Sequence, residues 1–191
     1  MKIFFFGGTF DPPHNGHQFI IDYSLPQCDK LIIIPTKIAP DKNNSPLANN
    51  KHRVNMLKLI ANDKKIEIND YEMKSNKVNY TYITVMHLKE KYKNCSLYMI
   101  IGMDQLLNLH KWKEYKQIMK EVNIICFNRN TNSKLLNCNL LNSKKIQFVN
   151  DFNIDITSSD IREKIYNNTD NFLNTMNAKV IKYIKKNNLY A

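Results

Sequence analysis

KIFFFGGTFDPPHNGH, residues 2–17, decides the fold. Lys2–Phe6 is a short apolar run, and Gly7-Gly8 stops it. A helix follows, beginning near Asn15. Strand, glycine-rich turn and helix in this order place backbone N–H groups and a helix dipole where they favour a bound phosphate. His14 and His17 are separated by two residues, so beside a helix start they converge on one anion and donate imidazole N–H groups to it. The two glycines let the backbone turn closely, and Gly16 leaves room for the ligand. The segment is neither a GxxxxGK[ST] P-loop nor a GxGxxG dinucleotide fingerprint.

The rest of the chain repeats the alternation. Lys30–Ile34, Lys65–Ile68, Ser96–Ile101, Val122–Phe127 and Ile146–Val149 read as further short strands. Lys51–Asn62, Tyr80–Tyr92, Glu114–Lys120, Ser158–Tyr166 and Asn177–Lys186 read as helices. In Lys51–Asn62 the residues Val54, Leu57, Ile60 and Ala61 recur at helical spacing, as do Val85, Leu88 and Tyr92 further on. Thr36–Asn50 reads as loop, and Thr131–Lys145 as a mobile, Asn-rich loop. Short, β-branched, apolar strands alternating with helices predict a doubly wound α/β fold with a parallel sheet covered on both faces. Length suits one domain over residues 1–191. Ligands of such folds bind beyond the carboxyl ends of the strands.

The scarcest residues gather there. The chain holds four glycines in 191 residues, Gly7, Gly8, Gly16 and Gly102, where an average composition would supply about 7%. Each follows a predicted strand or opens the next helix. Lysine supplies nearly all basic charge, and the three arginines are Arg53, Arg129 and Arg162. Arginine grips phosphate with a planar two-pronged donor set that lysine lacks. Arg129 follows a strand and Arg162 lies near a helix start, on the same edge. Trp112, the single tryptophan, comes shortly after Gly102.

A formal net charge of +11 attracts anions such as nucleotides, nucleic acid or acidic lipids. Without interleaved aromatics or an RNP-like pair, a nucleic-acid partner is not expected. No apolar stretch approaches the roughly 18 residues of a membrane span. Cys28, Cys95, Cys126 and Cys138 show no metal-ligand spacing. Cys95 and Cys126 read as core thiols, and a reducing, cytoplasmic setting is expected.

Gly7-Gly8-Thr9-Phe10-Asp11-Pro12 with His14-Asn15-Gly16-His17 resembles the HxGH nucleotidyltransferase superfamily. More closely, it is similar to the nicotinate (nicotinamide) mononucleotide adenylyltransferases of the bacterial type. Further segments resemble that family in order: Pro35–Lys42 (PTKIAPDK), Asn79-Tyr80-Thr81 within Lys77–Thr84, Ile100–Trp112 (IIGMDQLLNLHKW), Ile156–Arg162 (ITSSDIR) and the closing Val180–Tyr190. The likeness covers nearly the whole chain. Asp41 stands where the family usually has His, and Asn79 where it has Ser.

The resemblance implies a Rossmann-like nucleotidyltransferase fold. It implies transfer of the adenylyl group of ATP to nicotinate mononucleotide, with nicotinamide mononucleotide as the second candidate acceptor. His14 and His17 would hold the ATP phosphates and stabilise the transition state. Gly7, Gly8, Thr9, Phe10, Gly16, Lys42, Gly102, Asp104, Ser158, Ser159 and Arg162 would complete the ATP site, with Ser158, Ser159 and Arg162 also capping a helix. Thr81, Trp112, Lys113 and Arg129 would bind the mononucleotide, Trp112 by stacking. Arg53 is assigned to scaffold support. Mg²⁺ would arrive with ATP, without a dedicated protein metal site. A phosphopantetheine or cytidylyl acceptor, a basic nucleic-acid-binding protein and a non-catalytic nucleotide sensor are the rival readings. Oligomeric state stays open.

Overall fold

A computed structural model of the chain describes residues 1–37, 45–75, 78–128, 143–150 and 154–191. Six strands, β1 (Lys2–Gly8), β2 (Lys30–Pro35), β3 (Ile66–Ile68), β4 (Ser96–Gly102), β5 (Val122–Phe127) and β6 (Ile146–Val149), form one sheet. Their order is β3-β2-β1-β4-β5-β6, and every neighbouring pair is parallel. The doubly wound α/β expectation holds. The order reverses between β1 and β4, and ligands of such sheets lodge at that switch point.

The period of two along each strand divides the core. Phe4, Phe6, Leu31, Ile33, Ile100 and Ile125 face one side. They pack against apolar residues of helices α1 (Asn15–Ser24), α2 (Asn50–Ile60), α7 (Ser158–Tyr166) and α8 (Ala178–Lys186). Ile3, Phe5, Ile32, Ile34, Met99 and Ile124 face the other side. There they meet helices α4 (Thr81–Lys91), α5 (Met103–Asn108) and α6 (Tyr115–Glu121). A sheet buried on both faces needs apolar residues at successive positions, which is why these strands read as unbroken runs.

The structure corrects several details. Gly7 and Gly8 continue β1 in register with Ile34 and Pro35, so the turn falls after them, and no described glycine has positive φ. Helix α3 (Tyr71–Lys74) and helix α5 escaped the sequence reading, being four and six residues long. In α2 the buried face is Arg53, Met56, Leu57 and Ile60, without Val54 or Ala61. Cys28 and Cys126 are the buried thiols, and Cys95 is only half-buried. Cys138, Asp41 and most of the loop expected over residues 131–145 lie outside the described residues.

Candidate active site

The chain turns between β1 and α1 at Thr9–Pro13. Phe10 stands there at φ 51°, a left-handed backbone that costs a non-glycine residue roughly 1–2 kcal/mol. Packing holds it. The Phe10 ring is 1% exposed and meets Phe6 and His17 edge-on, with centroids 5.3 and 4.9 Å away. A Cβ on Gly8 would come within 2.9 Å of that ring, so the missing side chain at Gly8 makes space for Phe10.

Asp11, 2% exposed, organises the loop. A carboxylate so deep must be met by donors. Leu47 and Ala48 donate their N–H groups to it at 2.8 and 3.1 Å, and the Tyr190 hydroxyl donates at 2.7 Å. Burial and the Asp11 charge push the Tyr190 phenol well above its ordinary range, so it remains a neutral donor. Arg53, fully buried, donates through Nη1 to the Thr9 and Thr36 carbonyls at 2.6 and 2.8 Å, and through Nη2 to Asn50 Oδ1 at 2.7 Å. Its assigned support role thus becomes a clasp between the turns that follow β1 and β2.

His14 is the N-cap of α1, with extended backbone. Its Nδ1 accepts from the Gly16 N–H at 3.2 Å, and His17 Nδ1 accepts from the His14 N–H at 3.1 Å. A ring nitrogen that accepts carries no hydrogen, so the remaining N–H of each ring is on Nε2. The ring centroids lie 3.8 Å apart with 32° between planes. The two rings therefore stand side by side at the N-terminus of α1, each with its Nδ1 engaged by a backbone N–H. A Cβ on Gly16 would sit 3.0 Å from the His14 ring. The absence of a side chain at Gly16 thus leaves the His14 ring its place.

Across the switch point, a Cβ on Gly102 would lie 2.5 Å from Asp104 Oδ1. The exposed Asp104 carboxylate therefore folds back over the end of β4. Burial pushes the Cys126 thiol up to about 12, and the Asp104 charge adds to the effect. At α7 the expected cap moves by one residue. Thr157, not Ser158 or Ser159, is the N-cap, its Oγ1 accepting from the Asp160 N–H at 3.1 Å. Ser158 Oγ instead donates to the Pro12 carbonyl at 2.9 Å, and Arg162 Nη1 to the Asp11 carbonyl at 2.6 Å. Arg162 Nη2 donates to Ser159 Oγ at 3.2 Å. Ser158 and Arg162 grip the turn itself, with Ser159 steadying the guanidinium, which brings the first and last sequence motifs together.

The second group assembles on the other sheet face. Thr81 opens α4. Lys113 Nζ stands 4.7 Å from the Tyr80 ring centroid and 6.0 Å from that of Tyr82, so the Trp112–Lys113 turn meets the start of α4. Trp112 is half-buried against the second core. Beside them lies a cavity of about 700 Å³ lined by residues including Tyr71, Lys74, Tyr80, Ile83 and Lys113. The buried Asn79 donates to the Glu72 carbonyl at 2.9 Å, which gives its departure from Ser a local purpose. Lys42 and Arg129 fall outside the described residues. Asp11 and Tyr190 were not singled out beforehand. The former was visible as a lone acid between Phe10 and Pro12, whereas nothing local marks a tyrosine 179 residues away as its partner.

The open parallel sheet carries two imidazoles at the N-terminus of α1, beside its switch point, and residues 5–164 match the cytidylyltransferase-like family. A Fusobacterium nucleatum protein described as a "Probable nicotinate-nucleotide adenylyltransferase" is 37% identical over 191 residues, covering 97% of this chain and 98% of the relative. A Hydrogenobaculum protein with the same description is 37% identical over 194 residues, covering 100% and 99%. The chain belongs to this nicotinate-nucleotide adenylyltransferase family of nucleotidyl-transferring enzymes. The fold agrees with a Plasmodium falciparum nicotinic acid mononucleotide adenylyltransferase complexed with NaAD, at a TM-score of 0.81 and 24% identity over 99% of this chain and 97% of that one.

Proposed function

We propose that this chain transfers the adenylyl group of ATP to nicotinate mononucleotide, forming nicotinate adenine dinucleotide and pyrophosphate in NAD biosynthesis. The observation that carries the reading is the His14–His17 pair, two rings side by side at the N-terminus of α1. The 5′-phosphate of the mononucleotide attacks the α-phosphorus of ATP, and pyrophosphate departs in line. Such transfer needs positioning and charge stabilisation more than covalent help. The histidines meet the phosphates. The loop Gly7, Gly8, Thr9 and Phe10 contributes backbone, since the Phe10 ring is buried. Gly16 and Gly102 admit the close packing of His14 and Asp104. Asp104 approaches the ribose, while Lys42, Ser158, Ser159 and Arg162 complete the ATP side.

MgATP is the substrate form. Among the described residues no three His, Cys, Asp or Glu side chains converge as metal ligands. Mg²⁺ prefers few protein ligands and would arrive held by the phosphate oxygens and water. Thr81, Trp112, Lys113 and Arg129 take the mononucleotide. A nicotinate carboxylate suits the dipole at the start of α4 and the Lys113 ammonium better than an amide does. No helix of the described residues is long and apolar enough to cross a membrane, and a cytoplasmic setting belongs to the same proposal.

The test is an incubation with MgATP and each mononucleotide, following dinucleotide and pyrophosphate. Faster turnover of nicotinate mononucleotide is expected. Turnover of phosphopantetheine with neither mononucleotide used would overturn the reading.

A further inference from the structure

We propose that Glu72 is a positioning residue that locks the start of α4 to the turn after β2 and so aligns the two substrates. The proposal rests on the adenylyl-transfer reading above. Glu72 is 6% exposed and sits in the four-residue helix α3, remote in sequence from every motif considered above except Asn79-Tyr80-Thr81. Its carboxylate is met by hydroxyls. Thr84 Oγ1 donates to Oε1 at 2.7 Å, and the Thr36 hydroxyl donates to the same group. Burial pushes its pKa up, and the two hydroxyls hold it back. Asn79 adds a second tie, to the Glu72 carbonyl, just ahead of α4.

The other end of this path is the phosphate turn. The Thr36 N–H donates to the Gly8 carbonyl at 2.9 Å. Arg53 Nη1 bridges the Thr36 and Thr9 carbonyls. Gly8–Thr9, Thr36, Glu72 and Thr84 thus form one continuous polar path from the end of β1 to the first turn of α4. Thr84 lies three residues after Thr81, on the same side of the helix. Buried polar groups of this kind seldom add net stability over apolar packing, but their directionality fixes geometry. In-line transfer is sensitive to placement at about the 1 Å level. The path therefore spans the distance across which attacking phosphate and α-phosphorus must be matched.

The test uses Glu72→Gln, Thr84→Val, their combination, and Thr84→Ser as the conservative variant. For the acceptor, KM is expected to rise and kcat to fall, together by about tenfold in kcat/KM, while KM for ATP stays within about twofold. The double variant should be little worse than either single one, because the partners share one contact. Thr84→Ser should restore the parent values. Equal rises in both KM values, additive losses, or failure of Thr84→Ser to rescue would overturn the proposal. Amide exchange gives a readout independent of activity. At Ile83–Val85 it should quicken in Glu72→Gln and Thr84→Val, with Gln18 in α1 unchanged. A parent enzyme that makes no dinucleotide would defeat the functional reading alone. The local exchange pattern would still decide the role of Glu72, and uniform acceleration at Ile83–Val85 and Gln18 would reject it.

Discussion

The two sides of the switch point are built differently. The phosphate turn is clasped by side chains from every distance along the chain: Arg53 from α2, Arg162 and Ser158 from α7, and Tyr190 from beyond α8. The opposite side, around Thr81, Trp112 and Lys113, rests on one helix, the tie through Glu72 and a cation–π contact beside an open cavity. The turn proposed to hold the triphosphate is thus tied down from α2, α7 and the last residues of the chain. The side proposed to hold the acceptor is tied, among the described residues, through Glu72 and the Lys113–Tyr80 contact.

The sharpest way to break this contrast is to remove one of the two rings. His17→Ala is expected to lower kcat by about 10²–10³, the loss typical of one preorganised transition-state donor. It also removes the acceptor of the His14 N–H, so a small fall in melting temperature accompanies it. Near-normal adenylyl transfer by this variant would refute the phosphate role. Next in size, Asp11→Ala strands the buried Ala48 N–H and the Tyr190 hydroxyl, and each unsatisfied buried donor costs about 1–3 kcal/mol. A total near 3 kcal/mol lowers the melting temperature by about 9 °C for a chain of this size. A smaller change than in Tyr190→Phe, for which about 1 kcal/mol is expected, would show that Asp11 does not organise the turn.

On the softer side, Trp112→Ala is expected to raise KM for the mononucleotide about tenfold, in the range of a lost base-stacking contact. KM for ATP should change by less than about twofold, and Trp112→Phe should recover most of the loss. Parallel shifts in both constants would mean that Trp112 only fills the second core.

These contrasts were unequally visible in the sequence. The sheet was legible because strands buried on both faces become continuous apolar runs, and the scarce glycines marked the ends of β1 and β4 and the start of α1. The histidine pair was legible from its spacing beside a helix start. The clasp around it was not. Arg53 sits in a helix whose apolar spacing pointed to Val54, and only the turns folded over it explain why a cation lies on the inner face. Thr157 took the cap because its hydroxyl reaches the Asp160 N–H one position earlier than expected. Glu72 and Thr84 gave no signal, since a buried carboxylate and its hydroxyl donor look like ordinary polar helix residues until the fold brings them within 2.7 Å.

The smallest expected effect concerns the far end of α4, where Glu67 on edge strand β3 holds the helix terminus. Lys91 Nζ donates to Oε1 at 2.6 Å, and the Tyr92 hydroxyl and Lys30 Nζ donate to Oε2 at 2.5 and 3.1 Å. Burial alone would raise the pKa of this carboxyl. The donors from Lys91, Tyr92 and Lys30 outweigh it and bring the group from 4.5 to about 2. The folded state therefore favours the charged form. The stabilisation is complete above about pH 4.5 and is lost as pH falls toward 2. Because the side chain is about one-quarter exposed, screening leaves about 1 kcal/mol. Urea unfolding of the parent and Glu67→Gln should differ by that amount near pH 7 and converge between pH 4.5 and 2. Both KM values should stay unchanged, because this anchor lies at the end of α4 away from Thr81. A gap that persists at pH 2.5 would mean that the contact holds α4 by shape, not charge. A shift confined to the mononucleotide KM would mean that the acceptor side senses the whole length of the helix, and the contrast between a clasped donor cradle and a locally tied acceptor cradle would have to be redrawn.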